Sequence, residues 1–158
     1  MKLEHHYAVE VEWLGNRGTG TSGYRDYGRQ VIVRVDGKPS LEGSSDKPFH
    51  GDADRWNPED LLLTALAQCH LLSYLHVAVL RGVVVTDYVD HAVGTMVQTP
   101  DGGGHFTEVM LRPVVTVSSD DMVEAATDAH HEASEKCFIA NSVNFAVRHE
   151  PIVQVAAL

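Results

Sequence analysis

Cys69 and Cys137 are the residues of this chain best suited to covalent chemistry. A thiolate is a nucleophile, and two thiols can cycle through a disulfide. Each has a plain alternative, because unpaired cysteine often serves as a small buried hydrophobe. Their surroundings argue for more. Gln68, His70 and Ser73 put polar groups near Cys69, inside the long apolar stretch Asn57–Leu80, NPEDLLLTALAQCHLLSYLHVAVL. Cys137 closes a second helical stretch, at a point where a thiol can move. The N-terminal residues MKLEHHYAVEVEW contain no apolar signal core, so the expected compartment is the cytoplasm, where thiols stay reduced. Two cysteines there suggest a reversible redox pair more than a structural bridge.

Other chemistries fit less well. The chain has 10 histidines, and His130 shares a helical face with Cys137, but no CxxC, HxxxH or HExxH spacing occurs. No metal or other cofactor is expected. The formal net charge of −10, from 22 acidic and 12 basic residues, argues against nucleic acid, whose phosphates need clustered positive charge. A membrane span is a poor reading of Asn57–Leu80, because Thr64, Gln68, His70, Ser73 and His76 interrupt it.

The elements that must position the thiols follow from pattern. The 158 residues form one domain, residues 1–158, with no internal repeat or linker. Tyr7–Trp13 and Gln30–Val35 read as strands, and Asp36–Arg55 as a long, loop-like segment. Asn57 is a good helix cap, Pro58 suits the first helical position, Glu59 and Asp60 complement the dipole, and Gly82 is a stop. Val83–Thr99 and Phe106–Val117 form a hairpin around PDGGGH, a second helix covers Asp120–Lys136, and Val143–Val155 is a strand broken by Pro151. The order predicts an α+β fold with helices packed on antiparallel sheet. A helix apolar on all sides must be covered on all sides, which one sheet and one short helix can hardly do. A homodimer with the long helices meeting at a two-fold axis is therefore expected.

NPEDLLLTALAQC resembles the NPE-(hydrophobic)-AC signature of the OsmC/Ohr family of thiol-dependent peroxidases, and KCFIANSVN resembles that family's second cysteine motif. GYRDYGR, Gly23–Arg29, is similar to its RDGR-like segment. The resemblance implies an OsmC-like fold, an intertwined homodimer, an organic hydroperoxide substrate and a dithiol reductant such as a dihydrolipoyl group. It implies Cys69 as the peroxidatic thiol, Cys137 as the resolving thiol, Arg25 as the activating arginine and Glu59 as its partner carboxylate. Arg17 and Arg29 are nearby competitors for the arginine role. Three positions depart from the family pattern: Phe138 where proline is common, Ser134 where many members carry histidine, and His70 where some carry phenylalanine.

Glu59 precedes Cys69 by ten residues, which is about 15 Å along a straight helix. It cannot reach the thiol of its own chain. Two such helices crossing antiparallel near Thr64 would set residue 59 of one beside residue 69 of the other, so each site is expected to be composite. The competing expectation is a hot-dog-type thioesterase or acyl-binding module, which also wraps sheet around a long apolar helix but needs no thiol pair.

Overall fold

The computed structural model describes residues 3–157. Contacts divide the chain into two compact units, residues 1–61 and 62–158. In the first, β1 (Glu10–Trp13), β2 (Val31–Arg34) and β3 (Leu41–Gly43) form an antiparallel sheet in that order. Arg34 ties β1 to β2 through Glu10 and Glu12, at 2.6 and 2.7 Å. The turn between these strands is folded on itself. Gly28 donates to the Gly15 carbonyl, and the Trp13 indole to the Gly28 carbonyl, both within 2.8 Å. A Cβ on Gly15 would lie 1.9 Å from that Gly28 oxygen, so only glycine permits the close approach.

The long helix α1 (Pro58–Leu80) starts and stops where its caps dictate. Asn57 accepts from the Asp60 amide at 2.7 Å, and Gly82 takes the left-handed conformation, φ 69°, that ends it. Its buried side chains, Leu66, His70, Tyr74, Val77 and Ala78, form one stripe at spacings of three and four. Leu72, Leu75, Val79 and Leu80 remain exposed. By length and composition alone α1 could cross a membrane, but its buried stripe packs into the core of the second unit.

That unit contains β4 (Val85–Asp90), β5 (Val93–Gln98), β6 (Gly104–Leu111), β7 (Pro113–Val117), α2 (Val123–Lys136), β8 (Ala146–His149) and β9 (Ile152–Val155). The predicted hairpin is β5–β6, with its turn at Thr99–Gly103. The strands form two sheets, β4-β7-β9 and β5-β6-β8. The sheets are two halves of three bent strands, because β4/β5, β6/β7 and β8/β9 each break after one or two residues at matching levels. Pro151 lies in one break, and Asp90 braces another by accepting from the Arg112 amide at 2.8 Å.

Three expectations need correction. The sheets are mixed, since β8 runs parallel to β6 and β9 parallel to β7. The chain leaves β7, crosses through α2 and re-enters in the same direction, as parallel pairing requires. Asp36–Arg55 is not all loop: it supplies β3, whose Gly43 also bridges to Trp56. The second helix begins with a 3₁₀ turn at Asp120–Met122, and α-helix starts at Val123. Helix α2 buries Ala126, Ala129, His130 and Ala133. Three alanines let it lie close to Tyr74, Val77, Val115 and Val117.

Candidate active site

Helix α1 presents Cys69 one residue before the buried stripe position His70, so the thiol is partly covered. Helix α2 ends at Lys136, and Cys137 follows as its C-cap with extended backbone, φ −75° and ψ 107°. The last turn thereby aims Cys137 inward, where it is 1% exposed. The two thiols are neighbours, close enough for Cys69 to raise the Cys137 thiol.

Burial pushes the Cys137 thiol up to about 11, and the neighbouring Cys69 adds to the shift. Amides of Ala140 and Ile139 point at Cys137 and favour its anion, yet burial outweighs them. Cys137 therefore keeps its proton at neutral pH. A neutral, buried thiol beside a more accessible one is the arrangement a resolving and attacking pair needs.

Three imidazoles gather nearby: His70 and His149 line a cavity with Cys137, and His130 is bonded to His70. His70 Nε2 and His130 Nδ1 are 3.0 Å apart in a buried hydrogen bond. The rings of His70 and His130 stack at 5.3 Å, and His149, from the end of β8, stacks on His70 at 5.5 Å. Tyr74 covers the other side of His130 at 4.0 Å and donates to the Ala126 carbonyl. Burial holds His70 down to about 4 and His130 to about 3, each lowered further by a neighbouring imidazole, so both are neutral at pH 7. A cavity of about 240 Å³ is lined by His70, His149, Cys137, Ser134, Glu135 and Asn141, with apolar walls from Leu111 and Val147. Among the described residues, no group of three or more His, Cys, Asp or Glu is placed to hold a metal ion.

Arg25 and Glu59 belong to the first unit. Arg25 is exposed and shares a cavity of about 330 Å³ with Arg17, Arg29, Tyr27 and His50. Arg29 is held by the Tyr27 and Tyr24 carbonyls, both at 2.7 Å, and lies over both tyrosine rings, 4.1 and 4.6 Å from their centres. Arg17 reaches the Arg25 carbonyl at 3.4 Å. Among the described residues none of these three guanidinium groups pairs with a carboxylate, in a chain with 22 acidic residues. Glu59 Oε2 is buried with no hydrogen-bond partner. Arg25 and Glu59 thus do not pair within one chain.

Within the second unit Cys69 and Cys137 are neighbours, and within the first Arg25 and Glu59 do not pair with each other. The structure also reveals groups that sequence reasoning missed. His130 stood out by its phase with Cys137, but His149 carried no signal, because a half-buried histidine at a strand end looks like any other. The gathering of Arg17 and Arg29 around Arg25 depends on the folded turn.

Fold and thiol pair together define a class, the OsmC-like α+β proteins with a cysteine on the long helix and another after the second. The sequence model of the OsmC-like protein family matches residues 51–151, and the chain belongs to that family. It is 24% identical over 146 residues to the uncharacterized protein YmaD of Bacillus subtilis (strain 168), covering 89% of this chain and 87% of that protein. Among solved structures, an OsmC-like protein of unknown function from Vibrio cholerae O1 biovar eltor str. N16961 is similar at 29% identity and TM-score 0.81, covering 94% of this chain and 100% of the other. An organic hydroperoxide resistance protein from Elizabethkingia anophelis shares the fold at 20% identity and TM-score 0.70, covering 99% of this chain and 100% of that one.

Proposed function

We propose that this protein is a cysteine-based peroxidase that reduces organic hydroperoxides. The observation that carries the reading is the pairing of the buried, protonated Cys137 with the partly accessible Cys69 that neighbours it. Membership of the OsmC-like family supports it, as does the shared fold with a protein named for organic hydroperoxide resistance. The Cys69 thiolate attacks one peroxide oxygen, the O–O bond breaks, and the alcohol departs after taking a proton. Cys69 is left as sulfenic acid, and Cys137 condenses with it to a disulfide, releasing water. A dithiol of the dihydrolipoyl type then restores both thiols by exchange, closing its own disulfide. The thiols perform the chemistry, with no cofactor.

A guanidinium favours the thiolate and can hold a peroxide oxygen, and Arg25 is the candidate because it lies unpaired in a cationic cavity. Glu59 would orient Arg25 across a homodimer interface. Its unpartnered carboxylate and the exposed Leu72, Leu75, Val79 and Leu80 of α1 support that assembly. The same exposed residues would form the apolar wall that selects organic peroxides, in a cytoplasmic protein.

The test is turnover of cumene hydroperoxide with a dithiol, for wild type and Cys69→Ser. Loss of turnover in Cys69→Ser is expected. Equal turnover in both would overturn the reading, and acyl-CoA hydrolysis by both alike would turn it toward the thioesterase alternative.

A further inference from the structure

We infer that His70, His130 and His149 form a proton-transfer array that serves Cys137 while the Cys69–Cys137 disulfide closes. The inference rests on the proposed thiol pair and names the positioning residues of its second step. Closure forms the S–S bond and breaks the S–O bond of the Cys69 sulfenic acid. The Cys137 sulfur is oxidised from thiol to disulfide, and the Cys69 sulfur is reduced from sulfenic acid to disulfide. The Cys137 proton must end on the departing hydroxide, giving water.

The difficulty lies in that proton. Cys137 is 1% exposed, so its proton leaves by way of the cavity it lines rather than straight to bulk solvent. The thiol is also reluctant to ionise, since burial outweighs the amides that favour its anion. His70 and His149 line the same cavity as Cys137, and His70 is bonded to His130 at 3.0 Å. A neutral imidazole carries N–H on one nitrogen and a lone pair on the other. It can take a proton at one edge while releasing one at the other, with no net charge left in the core. Full transfer to a lone imidazole is excluded, because burial holds His70 and His130 far below the thiol in proton affinity. A concerted hop avoids that barrier.

Two more features fit a relay better than simple packing. The His130 Nε2 atom is buried without a hydrogen-bond partner, an expensive arrangement for a ring that only fills space. The cavity has polar groups in its lining, from Ser134, Glu135, Asn141 and the two histidines, and room for water, so the array has an outlet. The other titratable groups around it are Cys69 and Tyr74 on α1, His131 and Glu135 on α2, Tyr88 and Asp90 on β4, and Arg148 and Glu150 flanking His149. His131 pairs with Glu135 at 3.4 Å, and Tyr88 stays protonated, since burial pushes it up. The three imidazoles are thus the groups left beside the cavity to pass a proton from one ring nitrogen to the other.

The experiment follows decay of the Cys69 sulfenic acid after one equivalent of cumene hydroperoxide, in rapid-quench samples trapped with dimedone. Wild type, His130→Phe and His149→Ala are compared in H2O and D2O across pH 5.5–8.5. Closure is expected to slow about tenfold to a hundredfold in both variants, within the range for positioned proton transfer. Free imidazole, which the enlarged cavity admits, should restore much of the rate in His149→Ala, and the wild-type solvent isotope effect should exceed about two. Wild-type rates with an unaltered pH profile in His149→Ala would overturn the inference, as would slow closure that imidazole leaves slow. His149→Ala decides the matter even where His130→Phe does not fold. Failure of wild type itself to form the disulfide would instead sink the proposed function.

Discussion

His70 and His130 sit in the core without a counter-charge, and this sets how acid acts on the protein. Unfolded, each imidazole titrates near 6.5; folded, burial holds them to about 4 and about 3. Above pH 6.5 both states are neutral and the histidines contribute nothing to pH dependence. As pH falls below 6.5 the unfolded chain binds protons that the folded one refuses, so stability declines toward the folded values. The slope is about 1.4 kcal/mol per pH unit for each histidine. Urea midpoints should therefore fall from pH 6.5 to 4.5, less steeply in His130→Phe, and a flat wild-type profile over that window would contradict the structure. At Arg25 the expectation concerns rate. Arg25→Met should lower the second-order rate of Cys69 oxidation by about a hundredfold to a thousandfold if its guanidinium stabilises the reacting thiolate and peroxide. Stopped-flow oxidation by cumene hydroperoxide checks this, and an unchanged rate would move the role to Arg17 or Arg29.

Helix α1 was legible from its ends inward. Asn57, Pro58 and Gly82 act locally, through one side-chain bond, one fixed dihedral and one left-handed residue, so their meaning survives without tertiary context. Asn57→Ala should cost about 1 kcal/mol and Gly82→Ala a similar amount, both read as lowered melting temperature. No change in either would mean that packing, rather than capping, holds the helix ends. Other elements were not legible in this way. Strand β3 is three residues long, and its partner is β2 rather than a local turn, so nothing in Asp36–Arg55 announces it. The parallel pairing of β8 and β9 was equally hidden. An apolar strand reads the same in either direction, and α2 alone decides which way the chain returns.

At the scale of the molecule, the exposed apolar side of α1 calls for a cover. Leu72 and Val79 are 58% and 75% exposed, a high cost for a surface that nothing shields. Leu72→Glu with Val79→Glu should convert a dimer to monomer in sedimentation velocity, and a wild-type monomer at micromolar concentration would remove the composite site. A heterodimer of Cys69→Ser and Glu59→Ala chains tests that site directly. If one chain supplies the thiols and the other the carboxylate, one intact site should recover, giving about half of wild-type turnover per dimer. No recovery in a verified heterodimer would place Glu59 outside the site.

By itself, the sequence determined the family, the helix carrying the first thiol and the identity of the second thiol, because these reside in short contiguous motifs whose physics is local. The tertiary structure alone decided that Cys137 is buried with its thiol held protonated. It alone gathered three imidazoles from α1, α2 and β8 beside the cavity that Cys137 lines, and it set three arginines together without a carboxylate. Burial and stacking depend on what lies across the fold. His149 is 79 residues from His70 in the chain and 5.5 Å from it in space, and no periodicity encodes that meeting.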